Sequence, residues 1–250
     1  MAGTDIASFD VLGVPVSVVT PETALNAIVA WASDETGRHV CIRDVHGVMR
    51  AQEDAELLDI HRRAAMVTPD GMPLALIGKR RGLPVERTTG PDLMLAAMAR
   101  PELRHFLYGG GEGVAQLLET RLRSLPTDPL IVGVETPPFR AETDDELDAL
   151  AARIKASDAN TVWIGLSTPK QERVMARLAP LTGATLIGVG AAFDIHAGLM
   201  KRPPRWVQRS SLEGVYRLCK EPRRLWYRYL VLAPRFAALA AREEWRRARR

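Results

Sequence analysis

Two segments carry side chains that could move a proton. Asp70 stands in Thr68-Pro69-Asp70-Gly71, after an apolar strand and before a helix, where a carboxylate can act as a general base. Aspartate is also common in turns, and this motif alone is more typical of a turn. Asp44 and His46 follow a strand predicted over residues 39–42, and in an extended segment they would share one face and could transfer a proton. The alternative is that Asp44 caps a helix and His46 has no part in the chemistry.

A glycine-rich turn, residues 109–113, could bind a phosphate group. Gly109, Gly110 and Gly111 follow an apolar strand over residues 106–108 and precede a helix, so their N–H groups would lie at a helix N-terminus. A dinucleotide-binding fingerprint needs G-x-G-x-x-G, and counting from Gly111 the third glycine is replaced by Gln116. The alternative is a tight turn that binds no ligand.

A second loop with ligand-binding groups follows the strand predicted over residues 161–165. Open α/β sheets bind ligands at the carboxyl ends of their parallel strands, where this loop would lie. Thr168 could cap the next helix, with Pro169 at its first position. Gln171 can donate and accept hydrogen bonds, which suits a nucleobase or a sugar, and Glu172 lies beside it in the first turn. A plain capping arrangement is the alternative.

Arg87 and Asp194 are further candidates for substrate contacts. Arg87 precedes Thr88-Thr89-Gly90 and could clamp a phosphate or carboxylate, although a solvated arginine is the alternative. Asp194 and His196 follow a strand predicted over residues 185–189. No third ligand stands at a metal-like spacing, so no metal site is predicted.

The elements that would position these groups alternate between strand and helix. A strand-rich opening covers residues 9–19, and Thr20-Pro21 is a helix start. Further strands are predicted over residues 39–42, 106–108, 130–134, 161–165 and 185–189, and helices over residues 45–64, 72–81, 91–99, 114–125, 142–156 and 169–178. Short connections imply right-handed crossovers, so we predict a Rossmann-like parallel sheet with helices on both faces.

Charge divides the chain into an acidic body and a basic tail. The 250 residues carry a net charge of +4. From residue 201 onward there are 15 Lys and Arg against 4 Asp and Glu, a net of +11, which leaves −7 for residues 1–200. A basic tail of this kind predicts an anionic partner.

The tail also predicts amphipathic helices that dock on a membrane surface. Residues 206–250 are expected to form two or three helices, broken at Pro222 and Pro234. Aromatic and basic residues on one amphipathic helix are typical of an interfacial segment. A basic helical pair packed on the core, with solvated arginines, is the alternative. The residues expected to contribute are Arg217, Arg224, Arg228, Trp226, Tyr227, Tyr229, Leu230 and Leu232.

Composition excludes several protein classes. No run of about 18 apolar residues is present, so no transmembrane helix is predicted. The first ten residues lack the basic and apolar regions of a signal peptide. Cys41 and Cys219 form neither a disulfide framework nor a metal-binding spacing, which fits a reducing cytoplasm.

The motifs in this order and spacing resemble the WecG/TagA/CpsF glycosyltransferases, glycosyltransferase family 26, over nearly the whole chain. Each motif is weak alone, and their succession is specific. The matching segments are Thr68-Pro69-Asp70-Gly71 with Arg87 and Gly90-Pro91-Asp92-Leu93, residues 106–115, residues 165–172, residues 188–194, and in the tail residues 198–204, 212–218 and 221–224.

The resemblance implies a bacterial, inverting glycosyltransferase that uses no metal and no cofactor. The implied donor is a UDP-sugar, and the implied acceptor is a sugar linked to polyprenyl diphosphate. Such products enter exopolysaccharide, teichoic acid linkage or other cell-surface polysaccharide synthesis. By this resemblance Asp70 is the base, and Arg87 and Gln171 are pocket residues. The expected location is the cytoplasm, at the inner face of the cell membrane, where basic residues would hold the acceptor diphosphate. Self-association into a homo-oligomer is left open.

Two segments depart from the family pattern near the expected pocket. A Thr-x-Asn segment is replaced by Ile42-Arg43-Asp44, and a Gly-Tyr pair is replaced by Thr136-Pro137-Pro138-Phe139. These departures leave the identities of the donor sugar and the acceptor open. The expected organisation is an N-terminal subdomain, residues 1–100, with the base; a nucleotide-sugar-binding subdomain, residues 101–205; and a helical appendage, residues 206–250.

Three other functions compete with this interpretation. An NAD(P)-dependent oxidoreductase would use Glu135, at the end of the strand after the glycine turn, to hold a ribose, but the fingerprint lacks its third glycine. A role as a non-catalytic membrane adaptor would account for the basic tail, but it would not account for the polar residues that cluster at the strand ends. Nucleic-acid binding is not predicted, because the aromatic residues of the tail have helical spacing.

Overall fold

The computed structural model describes residues 6–204, 207, 213–220 and 222–249, apart from the side chains of residues 213, 215, 217 and 224. A short antiparallel hairpin opens the chain, with β1 at Ser8–Val11 and β2 at Val14–Ser17. All later strands among the described residues belong to one parallel sheet. They are β3 (Arg38–Arg43), β4 (Met66–Pro69), β5 (His105–Gly109), β6 (Ile131–Glu135), β7 (Thr161–Gly165) and β8 (Thr185–Gly188).

The strand order of the sheet is β4-β3-β8-β7-β5-β6, with every neighbouring pair parallel. Strands from before and after residue 100 are therefore hydrogen-bonded in the same sheet, through the pairing of β3 with β8. The sheet lies between helices on both faces, so the predicted Rossmann-like fold is confirmed.

Helices follow the strands closely, and local signals in the sequence fix several of their ends. Thr20 caps the first helix in a reciprocal capping box with Thr23, and Pro21 occupies its first turn, as predicted. The helices up to residue 196 are α1 (Pro21–Trp31), α2 (Val45–Ala51), α3 (Ala55–Arg63), α4 (Met72–Arg80), α5 (Gly90–Ala97), α6 (Val114–Arg123), α7 (Asp144–Ala156), α8 (Lys170–Thr182) and α9 (Ala192–His196).

The strands alternate their side chains between two apolar clusters, one on each face of the sheet. Phe106 and Tyr108 of β5 enter the first cluster, and Leu107 enters the second. The first cluster includes residues of α2, α3, α4, α7 and α8, and the second includes residues of α1, α5, α6 and α9. The helices after the neighbouring strands β5 and β7 thus lie on opposite faces, which leaves a crevice between those two strand ends.

The C-terminal part is helical and partly buried. It contains α10 (Glu213–Lys220), α11 (Pro222–Trp226), a π-helical turn (Tyr227–Leu232) and α12 (Ala233–Ala248). Phe236 and Ala240 of α12 join the first cluster, and Glu244 accepts a 3.0 Å hydrogen bond from Arg81. Packing of the C-terminal helices on the core was considered above as the alternative to membrane docking, and α12 is packed in this way. None of the described helices is both long and apolar enough to cross a bilayer.

The predicted break at Pro234 is wrong. The helix continues through it, because the turn before it widens to the π form. A proline removes one N–H donor and its ring crowds the carbonyl four residues earlier, here that of Leu230. A wider turn relieves that crowding without ending the helix.

Candidate active site

A cleft of about 1300 Å³ opens at the carboxyl ends of β3, β4, β5, β7 and β8. Most of the predicted site residues meet there, although they come from distant parts of the chain. Those that line the cleft are Asp44, His46, Asp70, Gly110, Gly111, Thr168, Gln171, Asp194 and Arg228. Arg87, Gly109 and Glu172 lie next to lining residues without reaching its surface. The side chains of Arg217 and Arg224 are outside the described residues.

The glycine turn brings the ends of β5 and β7 together. Gly109 has φ of 150°, and a Cβ on it would lie 2.5 Å from the Cα of Gly165, so a side chain is excluded there. Gly110 has φ of 73° and donates its N–H to the Gly165 carbonyl at 3.0 Å. The turn leads into α6, whose N-terminal N–H groups have no helical acceptors. This geometry suits an anionic group held in the cleft.

Asp70 follows β4, an edge strand of the sheet, and lines the cleft. Its backbone N–H donates to the Arg43 carbonyl at 2.7 Å, which ties the turn to β3. Its side chain is 33% exposed, so the carboxylate can reach a ligand. Arg87 lies behind it: its Nε donates to the Asp70 carbonyl, and its Nη2 is 3.6 Å from Oδ1. In the structure Arg87 therefore contacts Asp70. The sequence had instead suggested that Arg87 could clamp a phosphate or carboxylate.

Of the two arrangements considered above for Asp44 and His46, the structure has the one in which Asp44 caps a helix, and not the extended segment. Helix α2 begins at Val45, because Asp44 caps it by accepting the Gly47 N–H at 2.9 Å. The other oxygen of Asp44 accepts a hydrogen bond from Arg228. Burial, with positive charges nearby, lowers the pKa of His46.

A buried ion pair beneath the cleft joins β3 to α8. Arg43 donates to Glu172, and their side chains are 3% and 0% exposed. Burial acts to raise the pKa of Glu172, but the charge of Arg43 and the hydrogen bonds to the carboxylate, including that from Gln171, together lower the pKa below its ordinary value. Arg43 was not among the predicted site residues. The signal that could have found it is a charged residue that directly follows Val40-Cys41-Ile42.

The predicted cap by Thr168 is wrong, because this ion pair uses the hydroxyl. Helix α8 starts at Lys170 with no side-chain cap. Thr168 Oγ1 accepts from Arg43 at 3.2 Å and donates to Glu172 at 3.2 Å. Gln171 is held in the same network: its Nε2 donates to Glu172 at 2.8 Å, and its Oε1 accepts the Gly190 N–H at 3.2 Å. The amide of Gln171 is thus oriented before any ligand binds.

The segment around α9 closes the cleft between β8 and the loop that follows. Asp194 lines the cleft, and its carbonyl accepts the N–H groups of Leu199 and Met200 at 2.9 and 3.0 Å. His196 is hydrogen-bonded through its ring to the Pro91 carbonyl at 2.8 Å. Across the described part of the chain, no three His, Cys, Asp or Glu residues are grouped so as to hold a metal ion.

Some residues that line the cleft were not among the predicted site residues. The loop of residues 136–140, one of the departures noted above, lines the cleft, and Phe139 in it is fully exposed. Lys170 donates to the Arg140 carbonyl at 2.7 Å and so holds the loop to α8. Leu225 and Tyr227 line the cleft from the C-terminal helices, and no local feature of the sequence predicted where they would lie.

Glu135 does not occupy the position that an oxidoreductase would require. Both of its carboxylate oxygens accept hydrogen bonds from Arg153, at 2.7 and 2.8 Å. Glu135 also lies outside the residues that line the cleft. The carboxylate considered for a ribose hydroxyl is therefore already paired with a side chain of α7.

A comparison with known protein families covers nearly the whole chain. The family model described as the Glycosyl transferase WecG/TagA/CpsF family matches residues 9–250. The match covers the hairpin, the parallel sheet and the C-terminal helices together. The chain therefore belongs to the WecG/TagA/CpsF family of glycosyltransferases.

Proposed function

We propose that this glycosyltransferase moves a sugar from a UDP-sugar to an acceptor linked to polyprenyl diphosphate, with inversion at the anomeric carbon. The product would enter exopolysaccharide or cell-surface polysaccharide synthesis, and the sugar would be a hexose of the N-acetylmannosamine type. The observation that carries the proposal is one cleft lined by both an accessible carboxylate, Asp70, and the glycine turn Gly110-Gly111.

The donor diphosphate is proposed to lie against the glycine turn. The Gly111 N–H and the first-turn N–H groups of α6 offer donors that stabilise negative charge, while the Gly110 N–H is held by the Gly165 carbonyl. Charge develops on the diphosphate as UDP leaves, so donors fixed in position lower the energy of the transition state. Gln171, whose amide is oriented by Glu172 and Gly190, is proposed to contact the nucleotide or the sugar.

The chemical step needs one base and one departing group. Asp70 takes the proton of the acceptor hydroxyl, and the oxygen attacks the anomeric carbon from the side opposite UDP. The bond from that carbon to the β-phosphate oxygen breaks, and UDP leaves with the electron pair. Arg87 fixes the Asp70 backbone and lies near its carboxylate, which favours a defined position for the base.

The C-terminal helices are proposed to dock on the anionic inner face of the membrane, where the acceptor lies. Trp226, Tyr227 and Leu230 are 52%, 47% and 62% exposed, although neighbouring Leu232 is buried in the core. Exposed aromatic and aliphatic groups on a basic helical segment suit a lipid interface. Arg228 extends from the same segment into the cleft, where arginine is well suited to holding a diphosphate.

Substitution of Asp70→Asn tests the base directly. The amide keeps the shape of the side chain and cannot accept a proton, so turnover of UDP-sugar with a lipid-linked acceptor should fall about 10² to 10⁴-fold. The affinity for UDP should stay within about twofold of the wild type, because Asp70 is not proposed to hold the diphosphate. The assay is UDP release over a panel of UDP-sugars, with His46→Gln as the matched control from the same cleft.

Two outcomes would contradict the proposal. Near-normal turnover by Asp70→Asn, with a collapse of turnover in His46→Gln, would move the base to His46. Binding of a nicotinamide cofactor in place of UDP, measured by thermal shift of the wild-type protein, would favour the oxidoreductase.

A further inference from the structure

Asp44 joins the N-terminal half of the cleft to the C-terminal helices. One carboxylate oxygen, Oδ1, caps α2 through the Gly47 N–H at 2.9 Å. The other oxygen, Oδ2, accepts from Nη2 of Arg228, which lies 184 residues further along the chain. Both side chains line the cleft, and each is 28% exposed.

We propose that Asp44 is a positioning residue that holds the Arg228 guanidinium over the cleft, so that it can bind a diphosphate. This inference rests on the proposed function, because that function supplies a diphosphate on both substrates. It assigns Asp44 a role other than that of a base. A carboxylate whose two oxygens already accept an N–H and a guanidinium is suited to holding another side chain.

The contact leaves most of the Arg228 fork available to a ligand. A guanidinium has five N–H donors, and within the described part of the chain Asp44 accepts from Nη2 alone. An arginine side chain loses considerable rotamer freedom when it is fixed, and a carboxylate that fixes it in advance lowers that cost when a ligand binds. The Arg228 side chain lines a cleft that also contains the Gly110-Gly111 turn.

The backbone near Arg228 is held by contacts that do not involve Asp44. Leu232 and Phe236 are buried in the core, and Arg235 donates to Glu53 at 3.0 Å on the surface. Loss of the Asp44 contact should therefore leave the helices in place and free only the arginine side chain. Asp44 is thus expected to affect ligand affinity more than folding.

Asp44→Asn separates the two roles of this carboxylate. The amide oxygen can still cap α2, while the loss of charge and of one acceptor removes the hold on Arg228. The full chain and the variants Asp44→Asn, Arg228→Gln and their double mutant are titrated by calorimetry. The ligands are UDP, for the donor, and farnesyl diphosphate, for the acceptor. Glu53→Gln, alone and with Arg235→Gln, is the matched control, because that pair links the turn after α2 to α12 outside the cleft.

We expect each single variant to bind at least one diphosphate about tenfold more weakly, with little further loss in the double mutant, as for two residues of one network. The melting temperature of Asp44→Asn should stay near that of the wild type, and the Glu53 variants should bind normally. Unchanged or tighter binding of both ligands by Asp44→Asn would overturn the inference. If the wild type binds farnesyl diphosphate but not UDP, and Asp44→Asn weakens that binding, the inference stands and the proposed donor is contradicted. No binding of either ligand to the wild type would contradict both.

Discussion

Replacing Arg43 by methionine tests whether the buried ion pair supports the cleft floor. The change leaves Glu172, which is fully buried, without its positive partner. Removal of one partner of a buried pair typically costs about 3 to 5 kcal/mol. Thr168 and Gln171 still donate to the same carboxylate, so we expect the lower end, about 3 kcal/mol. For a chain of this size the melting temperature should fall by about 10 °C.

The assay is urea unfolding followed by circular dichroism at pH 7.5, with two comparison variants. Arg177→Met removes an exposed pair with Asp148 and should cost at most about 1 kcal/mol. The double variant Arg43→Met, Glu172→Met buries no charge and should recover most of the loss. A cost below about 1 kcal/mol for Arg43→Met, or a double variant as unstable as the single one, would refute this reasoning.

The other predictions concern pH and the membrane. Burial lowers the pKa of His105 to about 4, and its Nδ1 accepts the indole N–H of Trp163 at 3.1 Å, so the ring is neutral in the folded protein. The unfolded chain binds a proton near pH 6.5, so acidification to pH 5 should cost about 2 kcal/mol through this group. His105→Asn should remove that part of the pH dependence in urea unfolding, and an unchanged dependence would contradict the assignment. Trp226→Glu with Leu230→Glu should weaken sedimentation with anionic vesicles on the order of tenfold, while Leu117→Glu on α6 should not. Equal vesicle binding by the wild type, the double variant and Leu117→Glu would contradict the docking role. Point substitutions are used because truncating the C-terminal helices would expose the core.

Local signals were sufficient to predict the architecture. The alternation of apolar strands and amphipathic helices indicated the parallel sheet, and Thr20-Pro21 marked a helix start that the structure confirms. That Asp70, Gly110 and Gln171 line one cleft also followed from sequence, because each lies in the loop or first helical turn after a strand and parallel strands end at one edge.

Long-range pairs could not be predicted in the same way. Arg43 and Glu172 are 129 residues apart, and Asp44 and Arg228 are 184 apart, so no periodicity relates them. The cap predicted for Thr168 failed for the same reason, since a distant arginine and a buried glutamate use its hydroxyl. Tertiary contacts overrode the local preference at that position.

The position of bound UDP tests the central claim most directly. A crystal structure of the protein with UDP should show the diphosphate within hydrogen-bonding distance of the Gly111 N–H and of the first-turn N–H groups of α6. Asp70 should face the same cleft, on the side where the sugar would leave the diphosphate. UDP bound at the amino ends of the strands, or at a site away from Asp70, would contradict the account.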